Sequence, residues 1–388
     1  MGKKKVVIYD DDQGLRQEWA ERLPGIRSFT EDFEVRTVNN WEFGEGLKAL
    51  RTRQIDAREG KRVSESGTFF DDTDLLIVDY DLLIDRQTGE EVAYLARCFS
   101  ACRVIIAVNQ FAREGLMFDL TLRGHPESFA DLNVLDEQLF EAGLWYFPWD
   151  AYRPWYWPIL SKAVEEFERR VDEVEENLDQ RILDFLQIPP AVREIFPVSA
   201  LEFVSSEDAD AATFRTFVQS SGTALRAKDR PGSERATARI AAARLFKCLE
   251  RLVLPGQNIL VDAAHLLERY PSLFLGDSPL IGWPHTHELL RPSQEIMDVA
   301  KIEQFRFTRG AWLSRTTWYW PLVSECESIV EVADPWASRE KVVFCEDTSG
   351  FMRPDEAAEF VAKVDSPFVR RFVSANKPKY GPKLQFAI

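Results

Sequence analysis

The chain has 388 residues, of which 45% are apolar, and it supplies 27 Phe and 11 Trp for core packing. That length allows two or three domains, and that composition excludes a largely disordered protein. The net charge is −16, and the first 150 residues carry 18 basic against 29 acidic side chains, a balance that works against nonspecific nucleic-acid binding.

Taken in chain order, residues 5–9 form a short apolar run, Val6, Val7 and Ile8, that ends in Asp10, Asp11 and Asp12. The basic start thus meets acids instead of the long apolar stretch of a signal peptide. No apolar run approaches the roughly 20 residues a membrane helix needs. The expectation is a soluble cytoplasmic protein with no membrane partner. Residues 13–23 have helical spacing through Leu15, Trp19 and Leu23, and Pro24 with Gly25 stops them. Residues 33–38 alternate as a second strand, and residues 41–50 read as a helix. The polar stretch 51–66 reads as a loop or insertion. Leu75 to Val78 predicts a third buried strand ending in Asp79, residues 90–99 a helix, residues 104–108 a fourth strand, and residues 144–147 a fifth. Strand and helix alternate, which predicts a five-stranded parallel sheet wound on both faces, over residues 1–150.

In such a sheet the functional crevice lies beyond the C-terminal ends of the strands. Two separate strands therefore deliver carboxylates, Asp10, Asp11 and Asp79, to one edge. Clustered carboxylates repel unless something compensates, and a hard divalent cation such as Mg²⁺ is the usual compensation. The same acids serve equally well as solvated strand ends when nothing else is known. Five cysteines (98, 102, 248, 326 and 345) lack zinc or disulfide spacing and read as buried free thiols.

The run Val6-Val7-Ile8-Tyr9-Asp10-Asp11-Asp12, followed by Leu75-Leu76-Ile77-Val78-Asp79-Tyr80-Asp81 and then Gly89-Glu90-Glu91, resembles the receiver domain of bacterial response regulators. The resemblance implies a flavodoxin-like fold over residues 4–150. It implies a Mg²⁺ site made by Asp10, Asp11, Asp79 and the backbone carbonyl of Asp81, with Asp79 as phosphoacceptor. It also implies a protein partner, such as a histidine-kinase-like ATPase, in a two-component system. Two departures matter. Receivers end the fourth strand in Ser or Thr, where this chain has Ala107, Val108, Asn109 and Gln110. Receivers place Lys before Pro after the fifth strand, where the stretch 145–148 puts Phe147. Leu83 also replaces the family's Pro after the third strand. A phosphoryl group brings about −1.5 to −2 of charge and would meet acids with no cation but a metal. The sequence therefore reads as a pseudo-receiver used for docking.

Residues 159–186 read as a connecting helix. Leu160, Val164, Phe167, Val171, Val174 and Leu178 are spaced 4, 3, 4, 3, 4, an a/d seam. This gives a coiled-coil homodimer, in which Arg170 and Glu175 attract across the seam, or else an amphipathic helix packed on its own protein. The expected layout is a receiver-like domain over 1–150, the connecting helix over 151–189 and a mainly α-helical effector or scaffold domain over 190–388. There, residues 208–222, 232–253, 257–269 and 354–364 read as helices, and residues 342–345 as a strand.

His285 and His287 form an HxH pair with no nearby third and fourth ligand, so metal binding there is the weaker reading. No Gly-rich phosphate loop, GxSxG elbow or HExxH motif is present. The sequence thus favours a regulatory protein that docks a partner without phosphorylation, over a phosphorylated response regulator and over an enzyme with a site in the C-terminal half. Neither a catalytic residue nor a cofactor beyond Mg²⁺ is assigned.

Overall fold

A computed structural model describes residues 2–64, 66–82, 87–109, 128–146, 159–275, 296–327, 329, 341–346, 350–361 and 370–374. The chain divides into two compact units. The first comprises Met1–Trp145, Pro158–Phe185 and Leu201–Cys248, and the second Tyr146–Trp157, Leu186–Ala200 and Leu249–Ile388.

The first unit contains β1 (Lys4–Tyr9), α1 (Gln13–Arg22), β2 (Phe33–Thr37), α2 (Asn40–Arg58), β3 (Leu75–Asp79), α3 (Gly89–Phe99), β4 (Val104–Asn109), β5 (Leu132–Leu135), α4 (Leu160–Glu175), α5 (Phe214–Ser220) and α6 (Glu234–Cys248). Its five strands form one sheet in the order β2-β1-β3-β4-β5, and every pairing is parallel. The central strands are covered on both faces, which is why they read as unbroken apolar runs: Val6 to Tyr9 and Leu75 to Val78 are all 2% exposed or less. Register places Tyr9 beside Val78, so Asp10 and Asp79 leave the sheet at the same level.

Three expectations for this unit change. The fifth strand is Leu132–Leu135, not residues 144–147. Asn133 interrupts its apolar run, so a pattern of four residues carried too little signal. Trp145 instead packs edge-on against Phe29 and Phe33, with ring centroids 4.8 and 5.5 Å away. The helix read over residues 41–50 continues to Arg58. Its buried stripe runs on through Arg53 and Ala57, and Arg53 is held by Asp71 (2.7 and 2.8 Å) and by the carbonyls of Phe99 and Ser66 (2.9 and 3.0 Å). A buried arginine looks like a loop residue until its partners are known.

The third change concerns the apolar seam. Leu160, Val164, Phe167, Val171, Val174 and Leu178 are each 5% exposed or less within this chain. α4 packs against α6, an alanine-rich helix buried from Ala236 to Cys248. This helix is covered on every side, its Thr237, Arg239, Arg244 and Lys247 included, and its small alanine side chains let its neighbours approach. The seam is therefore filled by the chain itself, and it offers no open surface to a second copy. The two charges expected to meet across a dimer are also engaged internally. The Arg170 guanidinium lies 4.1 Å from the centroid of the Phe246 ring, and Glu175 accepts from Arg235 at 2.6 Å. Arg235 also binds Glu168 and Asp172 of α4, tying the two helices together. α4 thus belongs to the first unit, together with residues 201–248.

The second unit contains β6 (Leu260–Asp262), α7 (Ala263–Arg269), β7 (Thr317–Tyr319), β8 (Val343–Cys345), β9 (Gly350–Met352), β10 (Ala357–Val361) and β11 (Arg370–Ser374). β6 and β7 pair antiparallel, and the other four form a sheet in the order β10-β11-β8-β9. The strand expected at 342–345 is present as β8, but the helix expected over 354–364 is corrected. Residues 357–361, expected in a helix, pair antiparallel with β11 from Ala357–Ser374 to Val361–Arg370. The Ala and Glu residues there favour helix locally, and strand pairing overrides them. The helix read over 257–269 begins only at Ala263, after β6. Four cysteines are buried, Cys326 is half-buried, and none forms a disulfide. Among the described residues no helix is long and apolar enough to cross a membrane.

Candidate functional site

The site lies at the C-terminal ends of β1 and β3. Of the three acids that leave β1, each has a separate place. Asp12 caps α1, its Oδ1 accepting from the amides of Gly14 (2.7 Å) and Leu15 (3.3 Å). Asp10 and Asp11 are thereby directed to the pocket. Carboxylate oxygens of Asp10, Asp11 and Asp79 lie within 4.8 Å of one another. Asp10 and Asp79 are 1% and 3% exposed, and Asp11 is half-buried.

Backbone amides fix two of these carboxylates. The Asp12 amide donates to Asp10 Oδ1 at 2.8 Å, and the Asp81 amide donates to Asp79 Oδ2 at 3.1 Å. Burial pushes the Asp10 carboxyl up to about 6, against the lowering effect of the Asp12 amide. The negative charges of Asp11 and Asp12 push it further, and Arg16 opposes them. Arg16 is the cation that sequence reading missed. Its Nη1 donates to the Asp10 carbonyl at 3.1 Å and to Asn40 Oδ1 at 2.9 Å. The signal was available, because Arg16 lies one turn inside a helix that starts beside the acids. An arginine on an amphipathic helix, however, reads first as solvated.

Gly89 has a steric role here. A Cβ at this position would lie 2.3 Å from the Asp79 carbonyl oxygen and 2.8 Å from Tyr80 Cα, both backbone atoms that cannot swing away. The Gly89 amide donates to the Tyr80 carbonyl at 2.7 Å, closing the turn that carries Asp79 onto α3. Gly89→Ala is therefore expected to destabilise the first unit by about 1–3 kcal/mol, as overpacking does. Urea denaturation of the two proteins checks this, and a change within error would show that the turn yields freely.

Among the described residues, the end of β5 is acidic. β5 pairs Leu135 with Asn109 of β4, and the residues that then leave β5 are Asp136 and Glu137. The position first assigned to Phe147 is thus redrawn, since Phe147 follows a short helix, not the fifth strand, and itself lies outside the described residues. Leu83, Gln110, His285 and His287 also lie outside them. No family model and no curated protein matches this sequence.

The donor set of the trio is hard oxygen, and its partial burial and mutual repulsion favour a divalent cation of the Mg²⁺ class. Asp10, Asp11 and Asp79 supply side-chain oxygens, while Asp81 meets the trio through its amide on Asp79. Chemically the pocket suits cation binding. Among the described residues, Arg16 is a cation close enough to favour the ionised Asp10.

Proposed function

We propose that the first unit is a pseudo-receiver of flavodoxin-like topology that docks a protein partner without being switched by phosphorylation. The observation that carries this reading is the gathering of Asp10, Asp11 and Asp79 within 4.8 Å, on a sheet whose fifth strand exits into Asp136 and Glu137 instead of a lysine. The strand order β2-β1-β3-β4-β5 supports it, because the connections from β1 and β3 diverge where the acids gather. Mg²⁺ is the expected ligand of the pocket. It would offset the mutual repulsion of the three carboxylates and hold the loops after β1 and β3 in one arrangement. The partner class is a protein of signal transduction, with a histidine-kinase-like ATPase as the first candidate, and the setting is cytoplasmic.

The experiment incubates the full chain with acetyl phosphate and Mg²⁺ and reads its intact mass, with calorimetry of Mg²⁺ binding alongside. The expected result is an unchanged mass and a Mg²⁺ affinity that Asp79→Asn abolishes. A stoichiometric phosphoryl adduct that disappears in Asp79→Asn would overturn the phosphorylation-independent reading in favour of a working response regulator. Mg²⁺ binding undiminished by Asp79→Asn would remove the pocket from the argument altogether.

A further inference from the structure

The loop between α5 and α6 is seated on the first unit by a built set of contacts. Asp229 is the centre of them, and its side chain is fully buried. Its Oδ2 accepts from Gln54 Nε2 of α2 at 2.9 Å and from the Tyr94 hydroxyl of α3, and its Oδ1 accepts from Arg58 of α2. Three residues earlier, the Arg226 guanidinium stacks 3.9 Å over the Tyr94 ring and pairs with Glu91 of α3. The Asp229 amide closes the turn on the Arg226 carbonyl at 3.0 Å. Gly232 lies so close to Val63 that a Cβ there would meet the valine Cβ at 2.7 Å. The groove between α2 and α3 thus reads an arginine and an aspartate three residues apart, through two donors on α2, one on α3 and a shared aromatic face.

Three features set this loop apart from the packed elements on either side. Its ends are anchored independently, Leu225 by burial and Ser233 by capping α6 through its hydroxyl, which accepts from the Ala236 amide at 3.0 Å. Within it, Lys228 has a φ of 79°, a left-handed conformation that costs a non-glycine residue and persists only when contacts hold it. Arg226 and Glu91 are 43% and 30% exposed, so their ion pair contributes little, whereas the carboxylate that Arg58 meets is fully buried. The seat therefore depends on the buried carboxylate of Asp229.

We propose that the α2–α3 groove is a recognition site for an Arg-x-x-Asp turn, and that residues 226–232 are its built-in occupant, displaced by a protein partner presenting the same turn. The proposal rests on the docking reading only for the existence of such a partner. The acidic pocket plays no part in it, so the phosphorylation experiment and the following one fail separately.

The test is tryptic digestion of the full chain and of Asp229→Asn, which keeps the shape and removes the charge. Cleavage after Arg226 and Lys228 is expected to accelerate about tenfold or more, as loss of a buried charged acceptor predicts, while the rest of the digestion map stays unchanged. A peptide covering residues 222–234 should then bind the Asp229→Asn chain, bind the parent chain far more weakly, and lose binding when its own aspartate is changed to asparagine. Unchanged cleavage, equal binding to both chains, or binding by the asparagine peptide would each overturn the proposal. Should Asp229→Asn be digested throughout, Tyr94→Phe carries the same test, since it removes one donor and keeps the ring. Loop cleavage in Tyr94→Phe that is no faster than in the parent would then overturn it.

Discussion

Replacing Arg371 with methionine is expected to cost the second unit about 3 kcal/mol, because it leaves a buried carboxylate with only His265 beside it among the groups identified. Arg371 and Glu346 are each 1% exposed in their side chains, and the Arg371 Nε donates to Glu346 Oε1. His265 lies between two carboxylates, its Nδ1 2.8 Å from Asp262 and its Nε2 3.2 Å from Glu346. Arg315 stands 3.6 Å from the far oxygen of Asp262. The chain of charges Arg315, Asp262, His265, Glu346 and Arg371 thus joins β6, α7 and the segment after β8 to β11. Amide hydrogen exchange of β8 and β11 in the full chain measures the effect. The double variant Arg371→Met with Glu346→Leu should recover much of the loss, since an apolar pair replaces the charges together. A single variant as protected as the parent would show that the network contributes nothing to this sheet.

The same network fixes the sign of a pH dependence. Burial opposes the charge on His265, but Asp262 and Glu346 more than offset it and raise its proton affinity. Burial likewise opposes charge on Asp262 and Glu346. It is outweighed at Asp262 by His265 and Arg315, and at Glu346 by Arg371 and His265, so both carboxyls are held below their ordinary range. The histidine contribution is complete below about 6.5, the ordinary imidazole value, and is lost as pH rises through the raised folded value. The carboxylate contributions are complete above about 4 and are lost as pH falls through the lowered folded values. Protection of β8 should therefore peak across the weakly acidic to neutral range and fall on both sides, with His265→Asn removing the alkaline limb and shrinking the acid one, because His265 helps to lower both carboxyls.

The second large effect runs in the opposite direction. Asp10→Asn is expected to stabilise the cation-free first unit at pH 8 by up to roughly 3 kcal/mol, the free-energy equivalent of a carboxyl raised by about two pH units. Asp10 is 1% exposed, and its proton affinity rises from 3.8 to about 6 on folding. A raised carboxyl penalises the folded state wherever it must ionise, so the penalty is full above about 6 and vanishes as pH falls below about 4. The asparagine keeps an oxygen for the Asp12 amide and carries no charge. Urea denaturation in chelator at pH 8 and pH 4.5 should show the full gain at the first pH and about a third of it at the second. Saturating Mg²⁺ should shrink it, because the cation compensates the parent protein only. An equal gain at both pH values would mean that charge repulsion is not what the substitution relieves.

The first 109 residues illustrate how far a local pattern reaches. Val6 to Tyr9, Leu75 to Val78 and Val104 to Val108 are buried on both faces, so their hydrophobicity alone marked them as parallel strands. Acids directly after two of them then marked the edge on which Asp10, Asp11 and Asp79 meet. β5 escaped because its four residues include Asn133, whose burial depends on neighbours far along the chain. α4 displayed a periodic stripe, and periodicity states that a face is covered without stating by what.

The amino-acid order by itself thus determined the alternating strands and helices and the convergence of three carboxylates. Those features depend on residues close in sequence or on strands whose burial is complete, so each carries its own signal. Tertiary structure alone decided that α6 covers α4, that Arg16 approaches Asp10, that Asp229 plugs the α2–α3 groove, and that residues 357–361 join a sheet. Each of these depends on partners far apart along the chain or on a charge whose burial only its partners make affordable. Local composition cannot encode a partner it does not contain.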